Sequence, residues 1–296
     1  MRCLIFGGDG MLGHQLAGYL SRRHRVWVTI RDTCRSQLLP AGPSLKVIDQ
    51  VDVRDFSRVT QIAATVRPEV VINAVGIIKQ REEANDPVAS FAVNTIFPHQ
   101  LQELARLIDF RLIHISTDCV FSGRRGYYNE QDVPDAEDLY GVSKRWGELH
   151  EAPAVTLRTS MIGLELKHKR SLIEWFLAQR GVVPVYEKAI FSGLTTLELS
   201  RLLERLITEW PDLYGVWHVA AEPISKAELL RRLSVRLDRR GLEFQSDFSM
   251  ACDRSLDAGK FRNATGYVAP DWDTMLDELA RQIDLRNKGG TYHEAA

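Results

Sequence analysis

The sequence has almost no net charge and no long apolar run. Its 38 lysines and arginines are matched by 39 aspartates and glutamates, which leaves a formal net charge of −1. A balance this even argues against the basic field of proteins that bind nucleic acid or anionic membranes. The run VVINAVGII at residues 70–78 is far shorter than the roughly 20 apolar residues of a membrane-spanning helix. We therefore expect neither a nucleic-acid partner nor a membrane partner.

Cysteine and histidine patterns are also sparse. The four cysteines, Cys3, Cys34, Cys119 and Cys252, are scattered and form no CxxC pair. Scattered thiols are typical of the reducing cytosol, and the first residues, MRCLIFGG, predict a strand and no signal peptide. The eight histidines contain no HxxxH or HExxH pattern, which argues against a zinc site. We expect a cytoplasmic protein without a bound metal.

Short apolar segments alternate with helical patterns through the first half of the chain. Six segments have the composition of buried strands: residues 2–8, 25–30, 45–53, 69–76, 110–117 and 154–160. Helical patterns separate them, and a long helix is predicted from about Pro87 to Leu107. Such alternation indicates parallel strands joined by right-handed crossovers. The predicted fold class is therefore α/β, a doubly wound parallel sheet of the Rossmann-like type.

A glycine triplet lies between the first strand and the first helix, in the segment IFGGDGMLGHQL at residues 5–16. Gly7, Gly10 and Gly13 give the spacing G-x-x-G-x-x-G. Glycine at these points permits a tight turn and lets the backbone approach a pyrophosphate at the helix N-terminus. The alternative is a glycine-rich turn without a ligand. The position in a strand–helix unit favours a dinucleotide site, in which we also include Asp9, Met11 and Leu12.

The end of the second strand predicts which dinucleotide binds. An acidic residue there is typical of NAD sites, and a nearby arginine is typical of NADP sites. The expected acid position falls on Ile30, and Arg31 and Arg35 follow it. Because a guanidinium pairs well with a phosphate, NADP(H) is the preferred cofactor. Asp32 leaves NAD(H) as the alternative.

The segment DLYGVSKRWGEL at residues 138–149 carries Tyr140 and Lys144, which project from the same helix face, one turn apart. A cation near a phenol favours the phenolate and lowers the pKa of the tyrosine. A tyrosine of this kind can exchange a proton with a carbonyl or hydroxyl oxygen. The alternative is an amphipathic helix whose lysine extends its charge into solvent.

The strand–helix pattern changes after Gly163. Residues 215–221 predict one more strand, and residues 222–286 predict mainly helix. We predict a dinucleotide-binding domain over residues 1–163, rejoined by about residues 189–221. Residues 164–188 and 222–287 form a smaller, mainly helical C-terminal domain for the substrate in this prediction. Residues 288–296 are polar and contain glycine, which predicts a frayed tail.

With the glycine loop and the Tyr140–Lys144 pair in place, the chain resembles the extended short-chain dehydrogenase/reductase family. Four segments sharpen the resemblance to dTDP-4-dehydrorhamnose reductases and related sugar-nucleotide reductases. They are STDCVFSG (116–123), LYGVSKRWGE (139–148), LRTS (157–160) and RSLDAGKFRNATGYVAPDWDTML (254–276). The chain departs from the rhamnose reductases at residues 75–86 and 188–196, where substrate-facing residues are expected to vary.

The resemblance implies a role for each matching residue. Tyr140 would be the general acid, Lys144 would bind the nicotinamide ribose and lower the pKa of Tyr140, and Thr117 would bond the substrate oxygen. The remaining implied cofactor residues are Asp52 and Val53 at the adenine, Ala74, Val75 and Gly76 along the cofactor trough, Asn94 behind the active site, and Thr159 and Ser160 near the nicotinamide. The implied substrate residues are Thr117, Asp118 and Arg254, the last near a diphosphate. Lys167, in the basic loop KHKR that follows the sixth strand, is a second candidate for the diphosphate because of its place at the cleft edge; the alternative is a solvated cluster at a helix start.

Several chemistries use this fold and this set of residues. Thr117 is followed by Asp118 and Cys119, and the Asp-Glu pair that dehydratases of the family carry at this point is missing. This favours NADPH-dependent reduction of the 4-keto group of a nucleotide-linked 4-keto-6-deoxy sugar, in deoxysugar biosynthesis. The alternatives are an NAD-dependent nucleotide-sugar epimerase and a non-catalytic regulatory subunit similar to the beta subunit of methionine adenosyltransferase. A homodimer is a further possibility that the resemblance raises.

Overall fold

A computed structural model describes residues 1–40, 42–79 and 82–290 of the chain. In chain order, its strands are β1 (Arg2–Phe6), β2 (Arg25–Thr29), β3 (Leu45–Ile48), β4 (Val70–Asn73), β5 (Arg111–Ile115), β6 (Ala154–Arg158), β7 (Met161–Ile162), β8 (Gly181–Phe191), β9 (Leu194–Thr195), β10 (Gly215–His218), β11 (Ile224–Ser225) and β12 (Leu242–Asp253). Its α-helices are α1 (Met11–Leu20), α2 (Phe56–Val66), α3 (Pro87–Phe91), α4 (Phe97–Ile108), α5 (Leu139–Trp146), α6 (Leu172–Ala178), α7 (Thr196–Thr208), α8 (Lys226–Arg236), α9 (Gly259–Thr265) and α10 (Trp272–Asn287).

Seven parallel strands form the central sheet, in the order β10-β6-β5-β4-β1-β2-β3. The chain runs outward from β1 in one direction and from β4 in the other, so the order reverses between these two strands. Apolar side chains cover both faces of the sheet, one core including α1, α7 and α10 and the other including α2 and α4. The predicted doubly wound α/β fold is confirmed, and the reversal point is where such sheets bind ligands.

The predicted long helix is present with an irregularity in its middle. A π-helical turn, Ala92–Ile96, joins α3 to α4, so the helical segment runs from Pro87 to Ile108. Single π-helical turns occur frequently at functional sites. This turn contains Asn94, one of the residues predicted to lie behind the active site.

A smaller sheet of three strands, ordered β11-β8-β12, lies in the second half of the chain. Helices α8, α9 and α10 are present as predicted, but residues 242–253 form a twelve-residue strand where helix was expected. This strand exists because its backbone pairs in parallel with β8, a partner about sixty residues earlier in the chain. Near the start of β12, the ring of Phe244 stacks on that of Phe176 in α6, with the ring centres 6.4 Å apart.

The domain boundaries stay a prediction. Strand β8 runs through the proposed boundary at residues 188–189, so the backbone passes between the two predicted parts without a break. Residues 291–296 of the predicted tail lie outside the described residues. No helix in the described ranges is long and apolar enough to cross a membrane.

Candidate active site

A cleft of about 730 Å³ opens at the carboxyl ends of the central strands. The turn from β1 to α1 forms one wall, and its geometry requires glycine. Gly7 has a φ of +90°, and a Cβ at Gly13 would lie only 2.0 Å from the carbonyl oxygen of Gly7. Asp9, Gly10 and the first residues of α1 line the cleft, while Gly7 forms the turn beneath them. The local structure therefore brings the helix N-terminus to the cleft, as the glycine spacing predicts.

The residues predicted to distinguish NADP from NAD lie in different environments in the structure. Ile30 is buried, whereas Arg31 lines the cleft. The Asp32 carboxylate accepts a hydrogen bond from the Cys34 amide at 3.1 Å and caps the short 3₁₀ helix that follows. The side chain of Arg35 lies outside the described residues. Arg31 is thus the predicted phosphate ligand that the described structure places at the cleft.

The predicted adenine residues Asp52 and Val53 lie after β3 and are not part of the described cleft lining. Asp52 receives hydrogen bonds from the Arg54 side chain at 3.0 Å, and these bonds hold the pKa of its carboxyl below the ordinary value. Val53 is buried. Ala74, Val75 and Gly76, after β4, line the cleft together with Thr159 and Ser160 after β6. The adenine assignment stays a prediction.

Thr117, Tyr140 and Lys144 all line the cleft. Thr117 follows β5, and Tyr140 and Lys144 lie in α5, whose N-terminus is capped by Asp138 through the Gly141 amide at 3.0 Å. The Thr117 hydroxyl lies close enough to the Tyr140 phenol to lower its pKa. Lys144 is 4% exposed, and its amine donates to the carbonyl oxygen of Ile115 at 2.7 Å. Lys144 is therefore buried at the carboxyl end of β5, and Tyr140 is partly exposed at the cleft.

Burial sets the protonation of this group. It raises the pKa of Tyr140 above its ordinary value, and the nearby Thr117 hydroxyl opposes this rise only in part. It lowers the pKa of Lys144 to about 8, while the negative charge of Glu148 raises it. At neutral pH the site therefore contains a phenol and a cationic amine, the forms that can protonate a developing alkoxide. The lowering of the Tyr140 pKa by Lys144 stays a prediction.

Asp118 and Cys119 follow Thr117 in the chain and line the cleft beside it. The Thr117 hydroxyl donates to the Asp118 carboxylate at 3.1 Å and accepts from the Cys119 amide at 3.1 Å. Burial raises the pKa of Asp118, and it raises the pKa of the Cys119 thiol to about 12. The thiol is therefore not a nucleophile at neutral pH. That Asp118 orients neighbouring groups stays a prediction.

Asn94 lies behind the cleft and connects two of its walls. Its side-chain amide bonds both backbone groups of Ile77, at 2.9 and 3.0 Å, and donates to the Ser143 hydroxyl at 3.0 Å. These bonds join the loop after β4 to α5. Asn94 does not line the cleft in the described residues, so its direct contact with a cofactor stays a prediction.

The two basic residues predicted for the substrate both line the cleft, in different places. Arg254 follows β12 and donates to the carbonyl oxygens of Phe121 at 2.9 Å and Ser122 at 3.3 Å. Lys167 instead forms an ion pair with Asp9 of the glycine loop. The sequence-based assignment treated these two residues alike, and the structure separates them.

Several lining residues were not predicted. Lys79 pairs with Asp138 at 2.9 Å and lies 5.8 Å from the centre of the Tyr140 ring. The sequence could have indicated Lys79, because it lies in the segment, residues 75–86, that departs from the rhamnose reductases. Lys226 begins α8, while Met250 and Cys252 belong to β12. No local signal marked the β12 residues, because their segment was predicted to be helical.

Comparison with known proteins identifies the family. A family profile described as "RmlD substrate binding domain" matches residues 1–284. The chain belongs to this family. A dTDP-4-dehydrorhamnose reductase of Aggregatibacter actinomycetemcomitans is 28% identical over 232 residues, 75% of this chain and 74% of the relative. The beta subunit of methionine adenosyltransferase 2 from Bos taurus is 26% identical over 255 residues, 85% of this chain and 70% of that one.

Solved structures agree with this membership of the RmlD family. A hypothetical dTDP-4-dehydrorhamnose reductase from Sulfolobus tokodaii is 25% identical, with a TM-score of 0.74 over 92% of this chain and 98% of that one. A dTDP-4-dehydrorhamnose reductase from Bacillus anthracis in complex with NADP is 21% identical, with a TM-score of 0.75 over 94% and 98%. The second likeness concerns the fold alone. The resemblance inferred from the motifs is confirmed.

Proposed function

We propose that the protein is an NADPH-dependent oxidoreductase that reduces the 4-keto group of a nucleotide-linked 4-keto-6-deoxy sugar, in deoxysugar biosynthesis. One observation carries the proposal. Thr117, Tyr140 and Lys144 line the same cleft as the glycine loop. A proton donor thus lies in the same cleft as a dinucleotide-type turn, which is the arrangement that carbonyl reduction needs.

The residues present fit a dinucleotide. The backbone of Gly13 packs so closely against Gly7 that no side chain fits there, and this leaves bare backbone at the start of α1. Arg31 lies in the cleft after the end of β2. A bound NADPH supplies the hydride. Tyr140 holds a proton for the carbonyl oxygen, and Thr117 offers a hydroxyl to the same oxygen. Lys144 places a positive charge where negative charge develops.

NADP(H) is the proposed cofactor, with NAD(H) as the alternative. Arg31 at the cleft supports the choice of NADP(H), because its guanidinium can pair with a 2′-phosphate. Asp32, the residue that kept NAD(H) open, uses its carboxylate to cap its own 3₁₀ helix.

The proposed substrate enters from the side of Arg254, Lys79 and Lys226. These three cations line the cleft, Arg254 directly after β12, Lys226 at the start of α8 and Lys79 after β4, and cations there suit the diphosphate of a nucleotide sugar. A cytoplasmic location is supported by the free thiols of Cys3, Cys34, Cys119 and Cys252.

A homodimer is the proposed assembly. Ile96 is 52% exposed and Leu107 is 80% exposed, and both border an apolar groove of about 480 Å³ between α2 and α4. A second copy of the chain would remove this apolar surface from water. Light scattering on the purified protein tests the proposal, and a monomeric mass at micromolar concentration would contradict it.

A regulatory subunit is the second candidate, because the methionine adenosyltransferase beta subunit is similar over 85% of the chain. The intact group of Thr117, Tyr140 and Lys144 favours the enzyme.

An NADPH-oxidation screen over 4-keto nucleotide sugars, with the product stereochemistry determined by NMR, tests the reductase. We expect stoichiometric NADPH consumption and a single alcohol epimer. Absence of turnover with every sugar, together with a stoichiometric protein partner in a pull-down, would favour the subunit. NAD bound tightly to the purified protein would favour the epimerase.

A further inference from the structure

The loop between β7 and α6, residues 163–171, reaches across the cleft to the glycine loop. Its Lys167 forms an ion pair with Asp9, and the two side chains are only 17% and 14% exposed. Asp9 stands two residues before the first residue of α1. The loop also contributes Glu165, His168 and Arg170 to the cleft lining. The positive end of Lys167 is therefore held beside the residues that precede the N-terminus of α1.

Hydrogen bonds fix the shape of this loop. The Glu165 carboxylate accepts from the backbone amides of Arg170 at 2.7 Å and Ser171 at 3.2 Å. The Glu165 amide in turn donates to Glu174 at 2.9 Å. Glu174 is 4% exposed and forms an ion pair with Arg286 of α10. The loop is thus bonded to α6 through Glu174, which in turn pairs with α10, in addition to its contact with Asp9.

The backbone immediately after Lys167 is strained. His168 has a φ of +67° and Lys169 a φ of +46°, and neither is glycine. Left-handed backbone at such residues costs free energy and persists only where surrounding contacts enforce it, often at ligand sites. Here the strained pair directly follows the lysine that contacts the glycine loop.

The charge of Asp9 presents an electrostatic problem for a dinucleotide. Its carboxylate lies in the loop whose backbone would receive a pyrophosphate, and neighbouring negative charges repel each other. The Lys167 amine neutralises the carboxylate and has further N–H donors available for a phosphate oxygen, since an ammonium carries three.

We propose that Lys167 belongs to the cofactor site, where it compensates Asp9 and binds the cofactor's pyrophosphate. The proposal rests on the proposed dinucleotide-dependent function, and it moves Lys167 from the substrate diphosphate to the cofactor. Asp9 is then a positioning residue that holds the lysine in place.

Equilibrium binding of NADP⁺ and of thymidine diphosphate, each titrated by calorimetry, tests this proposal. Lys167→Met should weaken NADP⁺ binding about 10- to 100-fold, the usual value of a hydrogen bond to a charged group. It should leave thymidine diphosphate binding unchanged. Lys169→Met is the matched control, because Lys169 is exposed and outside the described cleft lining, two residues away. It should change neither constant.

A second substitution separates charge compensation from a purely structural role. Adding Asp9→Asn to Lys167→Met removes the carboxylate that Lys167 neutralised, so part of the lost NADP⁺ affinity should return. Unchanged NADP⁺ binding in folded Lys167→Met protein would overturn the proposal, as would an equal loss in Lys169→Met or a loss confined to thymidine diphosphate. Wild-type protein that binds no dinucleotide would reject the proposed function as well, whereas tight wild-type binding with an unaffected Lys167→Met variant rejects this proposal alone.

Discussion

Arg158→Met should destabilise the protein strongly, because Arg158 neutralises a buried carboxylate. Arg158 ends β6, and its guanidinium makes two parallel hydrogen bonds to Glu148, at 2.8 and 2.7 Å. The two side chains are 5% and 1% exposed. Glu148 also accepts from the Ser116 hydroxyl at 2.7 Å. Methionine keeps the length and the apolar stem of the arginine but leaves the carboxylate with the hydroxyl as its remaining partner among these groups.

The magnitude follows from the burial. Removing one partner of a buried ion pair costs about 3–5 kcal/mol. Unfolding entropy near 60 °C is about 2.1 cal/mol/K per residue, so a chain of 296 residues has about 0.6 kcal/mol/K. The melting temperature should therefore fall by about 5–8 °C. Differential scanning calorimetry on the reversible transition measures this shift, and urea unfolding checks the free energy independently.

Two further variants make the test specific. Arg124→Met breaks a comparable ion pair, Arg124–Glu137 at 2.9 Å, whose side chains are 73% and 79% exposed. Exposed pairs contribute at most about 1 kcal/mol, so this melting temperature should change by less than about 2 °C. Arg158→Met combined with Glu148→Met removes both buried charges and should recover most of the loss. A wild-type melting temperature for Arg158→Met, or a double variant as unstable as the single one, would refute the reasoning.

Four predictions concern activity. Tyr140→Phe should lower kcat by about 10²- to 10⁴-fold with unchanged NADPH affinity, because only the proton source is removed; a near-wild-type NADPH-oxidation rate in folded protein would contradict this. Arg31→Ala should weaken NADPH about 10- to 100-fold and NADH little in fluorescence titrations, and equal losses would count against it. Because burial lowers the pKa of Lys144 to about 8, the amine is neutral above that pH and kcat for reduction should fall as pH rises through it; a flat profile between pH 7 and 10 would reject the role of the charge. Arg254→Ala should raise mainly the KM of the sugar nucleotide, and an unchanged KM would exclude the contact.

The sequence by itself determined the features that depend on neighbouring residues. The alternation of apolar strands and helices required a parallel sheet, since short connections through helices leave few topologies. The glycine spacing defined the turn before α1, because close packing of backbone at Gly7 and Gly13 admits no side chain. The four-residue separation of Tyr140 and Lys144 put both on one helix face. Each is a local property that periodicity or a steric limit expresses directly.

Only the tertiary structure decided the features that depend on distant partners. Strand β12 forms by pairing with β8, and local periodicity cannot encode a partner sixty residues away. The sequence could not distinguish Lys167 from Arg254, because a charge finds its partner through the path of the whole chain. That path brings Lys167 to Asp9, 158 residues earlier. It also buries the Lys144 amine against the carbonyl oxygen of Ile115, and this burial lowers the pKa of the amine. Burial and long-range contact arise only when the sheet, the smaller sheet and the loops between them have assembled.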